Sequence, residues 1–355
     1  MGRLTRTAVP LLVWAVWTCP TFAEILPSFR LDASGWHATH IVVVTEGKKI
    51  DGKVRVLESW RGDLRPGDRL DLPDLAAFAP FQSRAINTAL AAKPAAGQPT
   101  YVTGQRMVLF LRRKPAAAGP AKGGWTGASG EGMRVSLAWV EGGQTYACVQ
   151  WRNPGPNDPI PLDMSEQKMR ERVLELGRLR ADLGRAAAVP DPAKRAVALC
   201  PFLDSDVYAA REAAFQSLSE CGEPALPTFR KLLGDGSLSR RHAEVVEALG
   251  RVRGRQAGRE LALLLGLELA FWQREAPRLP RGWWNGAGLK WAEVERFRDR
   301  YCVALAAVRG LGEGGHREGR QAVREFRYFW QSLAQLREIG QMGEECGRVV
   351  AKLEK

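Results

Sequence analysis

Histidine is scarce, with 4 in 355 residues. Two of them, His37 and His40, stand three apart ahead of a β-branched run. A shared metal there would need a bend and further ligands. The expectation is an exposed His37 and a packed or edge His40. His316 stands at a predicted helix start, and no Pro-Cys-x-x-Cys follows it, which excludes the zinc deaminase pattern. Cysteine is also sparse, at 6, and no Cys-x-x-Cys occurs, which disfavours a zinc ribbon or a redox pair. Gly-x-Ser-x-Gly, His-Glu-x-x-His and Walker patterns are absent. No catalytic constellation remains, so the expectation is a chain that is not an enzyme and holds no cofactor or metal.

Long apolar runs are few. The first follows Arg3 and Arg6 and extends from Ala8 to Trp17. It is too short to span a bilayer, which takes ~20 residues. Thr21-Phe22-Ala23 has the small-x-small pattern of a cleavage site. Residues 1–23 therefore read as a signal peptide cleaved after Ala23, with export to the periplasm or exterior. Lipid modification at Cys19 is the weaker reading, because Trp17 and Thr18 occupy positions that favour small residues. The other run, Leu261 to Trp272, is interrupted by Glu268 and reads as a buried helix, so no transmembrane span is expected in the mature chain. Cleavage leaves Cys148, Cys200, Cys221, Cys302 and Cys346, an odd number that leaves at least one thiol unpaired. Cys200 and Cys221 close successive predicted helices, so antiparallel packing would hold them ~20 Å apart and disfavour a disulfide.

Charge of one sign is not concentrated. The net charge is +13, yet the excess is spread over both halves of the chain. Nucleic-acid binders gather basic residues on one face or tail, so a nucleic-acid partner is disfavoured and a protein or peptide partner is expected.

What is present is a repeated helical unit. Val207, Ala210, Ala214 and Leu218 step by three and four, which places them on one helical face. Gly222 suits a helix end and Pro224 the first turn of the next helix. A second unit begins at Ser239, and Leu249 follows Leu218 by 31 residues. In that register His242 occupies the position of Arg211, so repeat packing accounts for it. Residues 204–254 resemble a HEAT repeat, which implies an α-solenoid. Further helical faces are predicted at Val294, Phe297, Tyr301, Leu305 and Val308, and at Ala322, Phe326, Phe329, Leu333 and Leu336.

The N-terminal half reads as strands. These are His40–Thr45, Lys53–Trp60, Arg69–Leu72, Arg106–Arg112, and a hairpin flanking Glu141-Gly142-Gly143. Residues 92–100 and 114–132 read as loops. The pattern suggests a small barrel or sandwich. Over residues 36–112 it is similar to netrin-like domains of OB type, a group that includes metalloproteinase inhibitors. Those inhibitors begin with a metal-engaging cysteine, whereas no cysteine lies between the predicted mature start and Cys148.

The expected organisation is α+β: a β-rich domain at 30–152, a linker at 153–162 and a HEAT-like solenoid at 163–355. Gly310-Leu-Gly312-Glu-Gly-Gly315 fits a phosphate-loop pattern, but a helix leads into it, so it reads as an interhelical loop. Ser165-Glu-Gln-Lys168 lacks its companion motifs and reads as a helix start. Candidate partner contacts are the arginines Arg251, Arg253, Arg255 and Arg259, weighed against a solvated helix edge, and the aromatic pair Trp283 and Trp284, weighed against interhelical packing. The functional expectation is a non-catalytic, exported protein-binding scaffold. The alternative is an inhibitor-like or ligand-carrying protein acting through the β domain.

Overall fold

A computed structural model describes residues 29–46, 52–73, 75, 106–114, 124–128, 136–147, 160–235, 241–337 and 339–354. The expected signal peptide, Cys19, Cys148 and most of the expected linker lie outside these residues. The chain divides into two compact units, residues 1–170 and 171–355.

The first unit is built on an antiparallel sheet of eight strands. An interior strand is β1 (His40–Glu46), whose β-branched residues suit a pleated, buried setting. It pairs with β2 (Lys53–Arg61) on one side and β4 (Arg106–Arg113) on the other. The order continues outward to β3 (Arg69–Asp71) at one end, and through β6 (Leu137–Glu141) and β7 (Gln144–Ala147) to β8 (Ile160–Ser165) at the other. β5 (Trp125–Gly127) lies beside β4. Val42, Val44, Val54, Val56, Met107, Leu109 and Trp139 form the core on one face. Ile41, Val43, Val108 and Phe110, on alternate positions, are also fully buried. Phe29, which precedes helix α1 (Leu31–His37), packs on Phe110 with ring centroids 5.2 Å apart.

Two strands depart from expectation. β5 arises inside the stretch read as a loop, where Trp125 stands edge-on to His40 at 4.7 Å. Pairing with β4 gives strand form to residues that carry no strand signal of their own. β8 forms where the end of the linker and a helix cap are expected. It is a terminal strand in the sheet order, the setting that tolerates Pro161. Thr145 Oγ1 donates to the Met164 carbonyl at 2.7 Å and helps hold it. Helix α2 (Glu166–Ala187) follows directly. Its first residue, Glu166, accepts from Arg106 of β4, and Arg106 also donates to Glu58 of β2 at 2.6 Å.

The second unit is helical. After α2 come α3 (Pro192–Leu199), α4 (Tyr208–Glu220), α5 (Leu226–Gly234), α6 (His242–Arg251), α7 (Arg255–Glu275), α8 (Trp291–Glu313), α9 (Arg320–Ser332), α10 (Ala334–Arg337) and α11 (Gly340–Leu353). Val207, Ala210, Ala214 and Leu218 are buried, as their spacing predicts. Gly222 takes φ 69° and turns the chain toward α5. Arg211 and His242 do not share a packing role. Arg211 is buried and donates to the Ser205 carbonyl at 2.6 Å, whereas His242 opens α6 beside the Asp235 carbonyl. Near the C-terminus, α9 ends at Ser332 because Leu333 is extended. Its buried stripe is Val323, Phe326 and Trp330, so Trp330 takes the inward place expected of Phe329.

Helix α6 packs on α4, α5 and α7, and most closely on α8. A glycine pair permits this. A Cβ on Gly250 would stand 2.4 Å from the Gly310 Cα. Gly312 likewise meets Val349 of α11, where a Cβ would fall 2.7 Å from its Cγ2. The stretch read as a loop therefore has two of its glycines inside α8, where they let helices approach. Gly250→Ala is expected to cost about 1–3 kcal/mol through forced separation of α6 and α8. Gly266→Ala, at an open site on α7, is expected to be neutral or stabilising by up to ~1 kcal/mol. Urea titration of both variants checks the pair, and equal effects would remove the close-approach argument.

Candidate ligand groove

The arginines singled out by sequence do not converge. Arg251 pairs with Glu212 at 3.2 Å, and Arg255 with Glu318 at 3.0 Å. Arg253 and Arg259 are exposed. Trp283 is buried, and its indole N–H donates to the Gln335 carbonyl at 3.3 Å, which withholds it from a partner. Trp284 is half-buried against Trp283 and Tyr301. Both belong to an aromatic core with Trp272, Phe297 and Trp330. Trp291 stays 61 % exposed.

In the first unit, His37 is exposed and His40 buried. His40 Nε2 meets Asp63 Oδ1 at 2.6 Å, and Nδ1 meets Thr39 Oγ1 at 2.9 Å. The hydrogen bond to His40 holds the Asp63 carboxyl below its ordinary range, and the nearby Arg113 charge adds to this. The Thr39 hydroxyl also reaches the Leu111 carbonyl, and a Cβ on Gly62 would fall 2.3 Å from the imidazole Cδ2. This hydroxyl–imidazole–carboxylate chain ties the β2–β3 loop to β1 and β4. Among the described residues, no group of three or more His, Cys, Asp or Glu could hold a metal ion.

A groove of about 700 Å³ opens in the helical unit. Its walls come from a short helix and a long one. α5 has 9 residues and α7 has 21, or about 14 Å against about 32 Å at 1.5 Å per residue. The α7 face at Glu260, Leu263, Leu264, Leu267, Phe271 and Arg274 forms one wall. Leu226, Phe229 and Leu233 of α5 form the opposite wall. Leu263 and Leu267, one turn apart, are 66 % and 67 % exposed. Arg230 of α5 pairs with Glu260 of α7 across the groove. A volume in the range of 300–1,000 Å³, lined by apolar side chains with a few polar groups, is the form of a ligand site.

No family model, curated protein or solved structure matches this chain. The groove must therefore be read from its own chemistry.

Its polar floor is Glu268 of α7 with Arg300 of α8. Glu268 falls in the buried stripe Leu261, Leu265, Glu268, Trp272, and only 1 % of its surface is exposed. Arg300 Nη2 approaches Glu268 Oε1 at 3.1 Å. Neither carboxylate oxygen has a hydrogen bond, and Arg300 Nε also lacks one. The Arg300 guanidinium stands 4.4 Å over the Phe271 ring. Burial pushes the Glu268 carboxyl up to about 7 against the opposing pull of Arg300. The sequence carried a signal for this residue, a lone carboxylate in an apolar run. Its spacing does not say which residues of that run remain uncovered, because coverage depends on the tertiary packing.

Cys200, Cys221, Cys302 and Cys346 are free. Cys346 is buried, and burial pushes its thiol up to about 12, which leaves it unreactive. Among the described residues, no helix is long and apolar enough to cross a membrane.

Proposed function

We propose that this chain is a non-catalytic, exported protein-binding scaffold whose HEAT-like helical unit holds a segment of a partner protein in the α5–α7 groove. The observation that carries the reading is the pair of leucines, Leu263 and Leu267, two-thirds exposed along one wall. Exposed apolar side chains clustered in one concavity mark interaction sites. The groove also has the form that receives the apolar anchors of an amphipathic helix. Stacking is supported by the pairing of alternate helices, α4 with α6, α6 with α8, α7 with α9 and α9 with α11. Solenoids of this kind offer extended binding surfaces made from successive helices. The N-terminal sheet serves as a support in this reading.

A photo-crosslinking residue at position 267 of the full chain, expressed in its native host, tests it. One protein adduct is expected there, and none at Arg55 on the exposed side of β2. Adducts at 55 and none at 267 would transfer recognition to the β unit and favour the inhibitor or carrier alternative. Combining Leu263→Asp with Leu267→Asp should weaken the captured complex about a hundredfold, the loss expected from ~1.4 kcal/mol of apolar burial at each position.

A further inference from the structure

We propose that the groove selects partner segments in which one carboxylate stands between large apolar side chains, and that this carboxylate takes the Arg300 guanidinium from Glu268. The inference rests on the groove being the partner site. Its basis is the charge inventory of the walls. Arg230 from α5, Arg274 from α7 and Arg300 from α8 all line the cavity, against Glu260 and Glu268 of α7. Arg230 is engaged by Glu260 and Arg274 by Glu275. α6 contributes Leu249, and α9 meets α7 through Trp330 on Trp272. Arg300 pairs with Glu268 at 3.1 Å, the longest of these three contacts. It is 38 % exposed and lies over an aromatic ring at the groove wall, with Nε unmatched.

Glu268 is a poor competitor for that guanidinium. Its oxygens are buried, and burial disfavours the charged form that holds Arg300. A carboxylate arriving from the groove can form the bidentate contact that Arg favours, in a site whose apolar walls strengthen the attraction. The flanking side chains of the segment then cover Leu263, Leu267 and Phe271. A basic segment would have to approach three arginines and reach oxygens beneath the surface. The net charge of +13 also steers acidic segments toward the chain.

Competition for Arg300 couples binding to a proton. Protonated Glu268 releases the guanidinium, so the bound state holds the proton more tightly and binding takes one up. Affinity for the acidic segment is therefore high below the Glu268 value of about 7 and falls as pH rises through it. A cationic ligand seated on Glu268 would give the opposite slope.

The test is a random 12-residue peptide library displayed on phage and selected on the full wild-type chain at pH 6. Counter-selection uses the chain carrying both Leu263→Asp and Leu267→Asp. The enriched peptides are expected to share a Glu or Asp flanked by Leu, Phe or Met. For a synthetic copy, Glu→Gln in the peptide should cost at least tenfold in affinity. Arg300→Gln should abolish that difference and Arg300→Lys should restore part of it. Affinity should fall several-fold from pH 6 to pH 8 in the wild type and stay level in Glu268→Gln. Groove-dependent peptides with no acidic residue, or with a basic one, would overturn this inference and leave the scaffold reading intact. An acid preference that survives Arg300→Gln would do the same. No groove-dependent peptide at all, with a fluorescent long-chain fatty acid bound instead, would overturn both.

Discussion

Trp272→Ala is expected to lower the stability of the helical unit by about 3–5 kcal/mol, the range for removing a fully buried large aromatic side chain. Trp272 has no exposed surface. Its ring centroid lies 5.3 Å from Trp330, 5.9 Å from Trp283 and 6.0 Å from Phe297. Aromatic pairs at such distances add about 0.5–1.5 kcal/mol each beyond area burial. These partners come from α8, α9 and the turn before α8, so the cavity would loosen several elements at once. Trp272→Phe should cost much less. The indole N–H has no hydrogen-bond partner, so Phe removes an unmet donor along with one ring. Urea unfolding followed by far-ultraviolet circular dichroism gives both values. A loss below ~1 kcal/mol for the alanine variant would mean that this cluster does not organise the unit.

Glu268→Gln is expected to stabilise the chain above neutral pH by roughly 3 kcal/mol and to flatten its pH profile. The sign follows from proton binding. The folded carboxyl holds its proton up to about 7, whereas an unfolded glutamate releases it near 4.5. Between those values the folded state binds more protons than the unfolded state. Wild-type stability therefore falls as pH rises from about 4.5 to about 7, and the Glu268 contribution is level outside that window. Glutamine has no such step. Parallel wild-type and variant profiles from pH 4 to pH 8 would show that Glu268 carries no strain. The stability lost to this buried carboxylate sits on the floor of the groove, where competition for Arg300 can be turned to recognition.

Much of the architecture was legible from local pattern. The β-branched run at 40–45, the two arginine-bounded ends of the 106–112 strand and the hairpin at Glu141-Gly142-Gly143 each signal structure through side-chain shape and turn chemistry, and each lies where the pattern puts it. So do the buried faces of α4 and α8. These signals are read within a few residues, so they survive without knowledge of neighbours. β5 and β8 were not legible, because each forms only by pairing with a strand already in place.

The site divides along the same line. Periodicity distinguishes the stripe Leu261, Leu265, Glu268, Trp272 from the stripe Leu263, Leu267, Phe271 on α7, but both are apolar and either could face inward. The tertiary packing, with α5 as the opposite wall, decides that the second stripe borders a groove. Packing on Trp272 and Phe297 buries Trp283, while Leu263 and Leu267 stay exposed, reversing the order that residue type alone suggests. Exposure is a property of what lies opposite a side chain, and the Glu268–Arg300 pair exists only because α7 and α8 bring together residues 32 positions apart. Composition and spacing determine the elements and the absence of recognisable catalytic motifs; the meeting of helices determines which residues are left for a partner.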